Sequence, residues 1–423
     1  MKRLFVFADF DWLENIELVG ELTMDSIRGG ETYGFKFEPS WLKKHGSVSL
    51  SDDLNNYVGM QYGQPGKDIF GCFSDSLPDR WGRTLVLRRE QILAAEEKRP
   101  VRRLSSMDYL LGIDDATRMG GFRFKESLDG EFINCAHELQ IPPIASIREL
   151  IAASQEVELS EEKNSLPEKR WIMQLVQPGT SLGGARPKAS VVDDNKHLYV
   201  AKFPSRKDLY DVGLWEHFAH LMAKSAGINC AETRVITAGS KYHTLLSKRF
   251  DRNEAGKRIH FASAMTMLGR QDGDHDASYL DIVDFIKAYG TNVKADLIEL
   301  WKRIVFSMAI SNTDDHLRNH GFVLVNGGWQ LSPLYDVNPV PYGNELALCV
   351  DASDASISVD LAIETAKYYG IDDEAAEKYA SSILTTVKNN WESVAAKCGL
   401  GRGEIENMRP AFRESEKRAD TII

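Results

Sequence analysis

The sequence has no long apolar run, no paired cysteines and no excess of positive charge. No segment approaches the roughly 20 apolar residues that a membrane-spanning helix needs, so we expect no membrane span. The five cysteines stand singly, without a C-x-x-C pair, which is typical of reduced thiols. Asp9 and Asp11 interrupt the beginning of the chain before an apolar signal segment could form, so we do not expect export. These features predict a cytoplasmic protein.

The charge balance argues against autonomous binding to nucleic acid. The formal net charge is −11, and an acidic chain gains little from releasing the counterions of a phosphate backbone. One basic run, which contains Lys98, Arg99, Arg102 and Arg103, could form a local positive patch. A run of this kind more often ends a solvated helix, so the patch stays an open alternative.

Hydrophobic patterning divides the chain into segments of different structure. The 423 residues exceed what one hydrophobic core usually serves, so we expect two or three packed units. Up to about residue 60, apolar and polar residues alternate between turns, which predicts a small antiparallel β unit. Residues 158–170 are rich in charge, and we predict an exposed loop there. Residues 174–251 indicate an α/β unit, and helical spacing dominates from residue 262 onward.

The strongest local signal for chemistry is residues 311–337, SNTDDHLRNHGFVLVNGGWQLSPLYDV. Asp314 and Asn319 have the D-x-x-x-x-N spacing of a protein-kinase catalytic loop, in which the Asp accepts the substrate proton and the Asn holds Mg²⁺. Two apolar segments around an Asn-Gly-Gly turn then predict a β-hairpin, after which Asp336 could return to the same site. The alternative is that these acidic residues only end a helix or begin a loop.

The side chains of Asn319 and Asp336 would be suitable ligands for a magnesium ion. Mg²⁺ prefers oxygen ligands and keeps several waters, so one carboxylate, one amide oxygen and the phosphates of ATP would complete its shell. The sequence therefore predicts ATP and Mg²⁺ as cofactors of this segment.

A second signal is the glycine-containing segment at residues 181–191. Gly183 and Gly184 could let main-chain amides approach a phosphate closely. The segment is not a Walker A loop, because Ala185 stands where the lysine is required and Lys188 comes too late. A plain β-turn is the alternative.

Two further signals complete a kinase-like order along the chain. Lys202 lies on a short apolar strand, and Glu216 in the next helix could pair with it and orient it on the α and β phosphates. An apolar strand at residues 245–252 then suits a hinge, where Asp251 could bond the ribose. A solvent-facing Lys202 is the alternative, but four weak signals in the kinase order favour a phosphotransferase.

Two rival classes remain open at this stage. A metal-dependent phosphohydrolase would use the acidic and histidine side chains of the same segment, namely Asp314, Asp315, His316, His320 and Asp336. A pseudokinase would bind a partner, and nucleotide, without transferring phosphate. Lys202, Asp314, Asn319 and Asp336 are all present, which argues against the pseudokinase.

Taken together, the motifs resemble those of the HipA family of bacterial toxin-antitoxin serine/threonine kinases. The segments that carry the resemblance are LPDRWGRTLVL at 77–87, YLLGIDDATRMGGFRF at 109–124, GGARPK at 183–188, AKFP at 201–204, KRFDR at 248–252 and NTDDHLRNHGF at 312–322. The chain departs from the pattern at residues 262–264, where Ala-Ser-Ala replaces the Gln-Glu-Asp that relatives often carry.

The resemblance implies roles for individual residues. Lys202 would hold the phosphates, Asp314 would act as catalytic base, and Asn319 and Asp336 would bind magnesium. Ser181, just before the glycine loop, would be a site of autophosphorylation that silences the kinase. The predicted nucleotide site comprises Gly183, Gly184, Ala185, Lys188, Lys202, Lys248, Phe250, Asp251, His316, Asn319 and Asp336.

The resemblance also implies partners. These are a helix-turn-helix antitoxin of the HipB type, operator DNA contacted mainly through that antitoxin, and a protein substrate such as glutamyl-tRNA synthetase. No membrane partner is expected.

The expected fold is mixed α/β (α+β) and bilobal, like a protein kinase. We predict a β-rich N-terminal subdomain at residues 1–125, an α/β nucleotide-binding lobe at 126–255 and an all-helical catalytic C-terminal lobe at 256–423.

Overall fold

The structure, a computed structural model, describes residues 2–27, 30–63, 69–135, 141–176, 184, 186–271, 273–274 and 276–419. Its strands are β1 Lys2–Ala8, β2 Glu17–Ile27, β3 Gly30–Phe37, β4 Met60–Tyr62, β5 Phe122–Lys125, β6 Lys188–Val192, β7 Leu198–Lys202, β8 Thr233–Ile236, β9 Thr244–Lys248, β10 His260–Ser263, β11 Gly321–Val325 and β12 Gly328–Leu331. Its α-helices are α1 Pro39–His45, α2 Gly71–Ser74, α3 Arg80–Glu96, α4 Ser106–Leu111, α5 Ile147–Glu162, α6 Lys169–Val176, α7 Val212–Ser225, α8 Ala264–Met267, α9 Tyr279–Tyr289, α10 Val293–Ala309, α11 Val359–Thr365, α12 Asp373–Cys398, α13 Arg402–Met408 and α14 Arg413–Ala419. None of the helices in the described ranges is long and apolar enough to cross a membrane.

The N-terminal part is an antiparallel sheet in the order β4-β3-β2-β1-β5. Its strands form because buried and more exposed residues alternate, as in β1, where Leu4, Val6 and Ala8 are buried. The β unit predicted for this region is confirmed.

A second antiparallel sheet, in the order β6-β7-β9-β8, has two different faces. Lys202 pairs in register with Lys188 on one side and with Leu245 on the other, so these three side chains share a face. The opposite face contributes Ala189, Ala201 and Leu246 to an apolar core that also includes residues of α3, α5 and α6. The polar face is therefore the one that can line a cleft.

The C-terminal part is mainly helical but also contains strands. β10, β11 and β12 form a third sheet, in which β11 and β12 are the hairpin predicted around Asn326-Gly327-Gly328. That hairpin is confirmed, and the mixed α/β class is confirmed as well. The expectation of an all-helical lobe needs correction, because β10 adds a third strand to the hairpin. The domain boundaries at 125 and 255 stay predictions.

Two charge-rich segments are partly built into the fold. Within the loop predicted at 158–170, residues 158–162 continue α5 and residues 169–170 begin α6, so the exposed loop is confirmed only for residues 163–168. Glu158 is buried and accepts hydrogen bonds from the Ser205 hydroxyl and the Arg206 amide. In the basic run, Arg99 and Arg102 form ion pairs with the buried carboxylate of Glu90. Two of the four cations therefore have an acidic partner, although the Arg102 side chain is 62 % exposed, so the basic patch stays an open alternative.

Candidate active site

Three charged side chains from distant segments meet at the polar face of the second sheet. Lys202 on β7 lies 2.7 Å from a carboxylate oxygen of Glu216 on α7 and 2.6 Å from one of Asp336. The Lys202 side chain is 12 % exposed, so the solvent-facing alternative is excluded. Although burial disfavours the ammonium, the carboxylates of Asp336 and Glu216 raise the pKa of Lys202 above its ordinary value. Lys202 is therefore a stable cation at the wall of the cleft.

Asp336 is held in an unusual backbone conformation. Its φ is +54°, in the left-handed region that residues other than glycine rarely adopt. Strain of this kind clusters at functional sites. Burial by itself would favour the neutral acid, but the ammonium of Lys202 outweighs it and lowers the pKa of Asp336 to about 2. Asp336 is thus a carboxylate at neutral pH.

Asp314 and Asn319 occupy a tight loop that follows α10. The side-chain nitrogen of Asn319 donates to the main-chain oxygen of Asp314 at 2.7 Å. The main-chain N–H of Asn319 donates to the main-chain oxygen of His316 at 2.8 Å. The Asp314 side chain is 82 % exposed, and His316 Nε2 lies 3.9 Å from its Oδ1. Desolvation by the surrounding loop raises the pKa of Asp314, the nearby His316 opposes this shift, and the carboxylates of Asp336 and Asp315 add to it. This direction suits a group that must accept a proton.

The neighbouring Asp315 anchors this loop, a role that sequence reasoning missed. Its Oδ2 accepts hydrogen bonds from the hydroxyls of Tyr279 on α9 at 2.7 Å and Ser307 on α10 at 3.2 Å. Its Oδ1 lies 3.0 Å from Nε2 of His320. Burial opposes the charge of Asp315, but these three partners lower its pKa below the ordinary value. No local pattern could have found the partner Tyr279, which lies 36 residues away.

The residues present fit a magnesium ion. Because the Asn319 nitrogen is used by the Asp314 carbonyl, the oxygen of the same amide is the atom left for a metal. Asp336 uses one oxygen for Lys202 and has a second that could bind an ion. Among the described residues there is no cluster of three or more His, Cys, Asp and Glu side chains suited to a metal. Mg²⁺ bound with nucleotide does not need such a cluster, since phosphates and waters supply the remaining ligands.

The glycine-containing segment is only partly described. Ser181, Gly183 and Ala185 lie outside the described residues. Gly184 has a φ of +101°, which only glycine adopts without strain. Lys188, predicted to bind phosphate, is buried and lies 2.9 Å from the carboxylate of Asp79.

Two of the predicted hinge residues are not part of the cleft. Lys248 is three positions from Leu245 on β9, so the two-residue period of a strand puts it on the face opposite Lys202, where it pairs with Glu254. Asp251 is fully buried between the guanidinium groups of Arg249 and Arg252, so it cannot bond a ribose.

The third predicted hinge residue, Phe250, packs against a neighbour of the site. Its ring lies 5.5 Å from that of Tyr335, which directly precedes Asp336. An adenine contact by Phe250 therefore stays a prediction.

The set of side chains that a phosphohydrolase would need is not assembled. Asp315 and His320 are buried and paired with each other, whereas the Asp314 side chain is exposed and His316 is half-buried. A dinuclear metal centre would need these groups to converge. The geometry therefore favours the hypothesis of a kinase over that of a phosphohydrolase.

Two family models match the chain. The model described as "HipA-like C-terminal domain" matches residues 180–391, about half of the chain, and the one described as "HipA N-terminal domain" matches residues 12–107. The chain belongs to the HipA family. Asp314, Asn319, Lys202 and Asp336 all lie within the HipA-like C-terminal match.

One curated relative is similar to part of the chain. A protein of Haemophilus influenzae named "Putative kinase" is 28% identical over 189 residues, which cover 39% of this chain and 55% of that protein. The HipA-family chain thus spans about half the length of this curated relative.

One solved structure agrees with this chain at the level of the fold. HipA of Shewanella oneidensis MR-1, determined with HipB and operator DNA, has a TM-score of 0.66 at 16% identity, over 99% of this chain and 97% of that one. At this identity the likeness establishes the fold alone. The Helicobacter pylori proinflammatory kinase CtkA has a TM-score of 0.39 at 15% identity, over 57% of this chain and 93% of that one, which is too low to carry an argument.

Proposed function

We propose that this HipA-family chain is a protein kinase that transfers the γ-phosphate of ATP to a protein hydroxyl with the help of Mg²⁺. The observation that carries the proposal is the meeting of Lys202, Glu216 and Asp336, with Asp314 and Asn319 on the loop beside them. In protein kinases a lysine–glutamate pair, a metal-binding aspartate and a catalytic loop of this spacing act together.

Positioning and charge neutralisation would supply most of the rate. The Lys202 ammonium, oriented by Glu216, would hold the α and β phosphates. Asn319 and Asp336 would hold Mg²⁺, which would neutralise charge on the phosphates. Asp314 would align the attacking hydroxyl and accept its proton.

The finer parts of the proposal concern the target and the partners. We infer that the acceptor is a serine or threonine, that Ser181 is autophosphorylated, and that glutamyl-tRNA synthetase is the first protein to test as substrate. We further propose a cytoplasmic toxin restrained by a HipB-type antitoxin, which would make the main contact with operator DNA. The HipA of Shewanella oneidensis MR-1 in complex with HipB and operator DNA supports this choice of partner.

The test is mass spectrometry of the purified protein after incubation with Mg-ATP. The parent should gain one phosphate on Ser181, and Asp314→Asn should be slower by about 10²- to 10⁴-fold, the usual contribution of a catalytic base. Asp373→Asn, the same substitution at an exposed position on α12, should behave like the parent.

Three other outcomes would reject the proposal or redirect it. If the parent binds ATP but gains no phosphate, the synthetase is tested as acceptor. If that also stays unmodified, the chain is a pseudokinase. Release of free phosphate without any phosphoprotein would favour the phosphohydrolase.

A further inference from the structure

The segment that begins the nucleotide-binding sheet is held by a helix from a distant part of the chain. The first turn of α3 contributes two hydrogen bonds, from the Trp81 amide to the Gly184 oxygen at 3.4 Å and from Trp81 Nε1 to the Lys188 oxygen at 3.1 Å. It also contributes the Asp79 carboxylate, which accepts from Lys188 Nζ at 2.9 Å. Gly184 and Lys188 are therefore both held by contacts with α3.

These contacts are buried and rigid on the α3 side. Asp79 is the N-cap of α3 and accepts from the Gly82 amide at 2.7 Å through its other oxygen, so the helix itself orients the carboxylate. The Trp81 side chain is part of the apolar core shared by α3, α5, α6 and the second sheet. Side chains fixed by packing and capping hold their partners in one position.

Arg186, between Gly184 and Lys188, makes a separate contact that does not involve α3. The guanidinium of Arg186 forms two hydrogen bonds with the Asp208 carboxylate, at 2.8 and 2.6 Å. Asp208 also accepts from the Ser205 amide in the segment that leads into α7. Paired bonds of this kind fix orientation as well as distance.

Gly184 makes a close approach to the buried lysine. Its φ of +101° excludes other residues without strain, and a Cβ there would lie 3.2 Å from Lys188 Nζ. The segment is thus built to lie close against Lys188, which in turn is held by Asp79.

We propose that the first turn of α3 is a support for the phosphate-binding segment, with Asp79 and Trp81 as positioning residues. This inference rests on the proposed function. Lys188 then links the segment to α3 through its ion pair with Asp79. Because Asp79 and Trp81 lie in the region matched by the N-terminal family domain, that domain would help to set the affinity of the kinase for ATP.

The first test uses Trp81→Phe, which keeps an aromatic ring in the core and removes the indole donor. In the protein without nucleotide, hydrogen exchange of residues 186–192 should become about tenfold faster, since one hydrogen bond to the segment is lost. The dissociation constant for Mg-ATP, measured by calorimetry, should rise roughly three- to tenfold because the segment is less well positioned.

Trp301→Phe is the matched control. Trp301 is equally buried, and its indole donates to the Ala362 oxygen at 2.8 Å, far from the segment. The control should lose similar stability while exchange at residues 186–192 and the affinity for Mg-ATP stay at the parent values.

Asp79→Asn is a second variant in case Trp81→Phe folds poorly. The amide oxygen of the new side chain can still cap α3 at Gly82, but the negative partner of Lys188 is gone. Hydrogen exchange of residues 186–192 should therefore be faster and the affinity for Mg-ATP lower, as in Trp81→Phe. Equal exchange in Trp81→Phe, Trp301→Phe and the parent would overturn the inference. Faster exchange with unchanged affinity for Mg-ATP would overturn it as well.

If the parent itself does not bind ATP, the proposed function fails. The exchange experiment then still decides whether α3 holds residues 186–192, because it needs no nucleotide.

Discussion

His260 is a buried imidazole inside an aromatic cluster. Its ring is stacked on that of Phe10 at 4.9 Å and also lies beside the rings of Phe122 and Trp329. The Gly121 amide donates to its Nδ1 at 3.3 Å. Burial lowers the pKa of His260 to about 3, because the charged imidazolium would lose its water.

This histidine should make folding stability depend on pH. A group whose pKa is lower in the folded state stabilises the fold above its unfolded pKa, and that stability is lost as the pH falls from about 6.5 toward 3. Between pH 7 and 5, His260 should account for a loss of about 2 kcal/mol in the free energy of unfolding.

The measurement is urea denaturation of the parent and of His260→Phe at both pH values. The variant should start less stable, since the Gly121 amide loses its acceptor, but should lose about 2 kcal/mol less than the parent on acidification. Other histidines titrate in both proteins and cancel in the comparison. Equal losses in the two proteins would contradict the assignment.

At the scale of the element, α7 links helix capping to the site. Asp211 caps the helix by accepting from the Leu214 amide at 3.1 Å, and it also accepts from the His243 amide at 3.2 Å. One turn further along, the same helix carries Glu216, which pairs with Lys202. The start of α7 therefore helps to set where Glu216 lies.

Asp211→Ala should lower the free energy of unfolding by about 1–2 kcal/mol, as the loss of a helix cap does, and should also weaken Mg-ATP binding. Asp211→Asn should lower the free energy of unfolding by less than Asp211→Ala, because an amide oxygen can still accept from the Leu214 amide. Denaturation and calorimetry measure the two effects.

Asp372→Ala serves as the control for this prediction. Asp372 caps α12 by the same kind of bond, to the Ala375 amide at 2.8 Å, but α12 contributes no side chain to the site. A loss of nucleotide affinity equal to that of Asp211→Ala would show that the effect is general instability and not the position of Glu216.

At the scale of the whole molecule, one buried carboxylate joins two regions of the chain. Asp251 lies 2.6 Å from Arg249 and 2.7 Å from Arg252, and it accepts from the Gly120 amide at 2.9 Å. Both arginines also donate to main-chain oxygens of residues 117–118. The junction thus ties the segment before β5 to the end of β9.

Asp251→Asn should destabilise the protein by about 3–5 kcal/mol, because it leaves two buried guanidinium groups without their counter-charge. Glu392→Gln is the comparison. It breaks an exposed pair with Arg409, which should cost less than about 1 kcal/mol. Chemical denaturation of both variants measures the difference, and equal costs would contradict the role of Asp251 as a junction.

The sequence by itself was sufficient for features that depend on neighbours along the chain. The β11–β12 hairpin follows from turn chemistry, since Gly327 and Gly328 both adopt positive φ. The D-x-x-x-x-N spacing of Asp314 and Asn319 describes one short loop, and the two residues are in contact in the structure. The pairing of Lys202 with Glu216 was also predictable, because a strand and the helix that follows it lie side by side.

The tertiary structure alone decided which polar residues face the cleft. Lys248 and Asp251 stand in a family-like motif, but neither is at the site. The alternation of side chains along β9 places Lys248 on the opposite face of the sheet, and Asp251 is buried between Arg249 and Arg252. Tyr279, which donates to Asp315, lies 36 residues away from it, and Asp79, the partner of Lys188, lies 109 residues away. The sequence pattern records which side chains can pair, but only the packing of separate elements brings a particular donor to a particular acceptor.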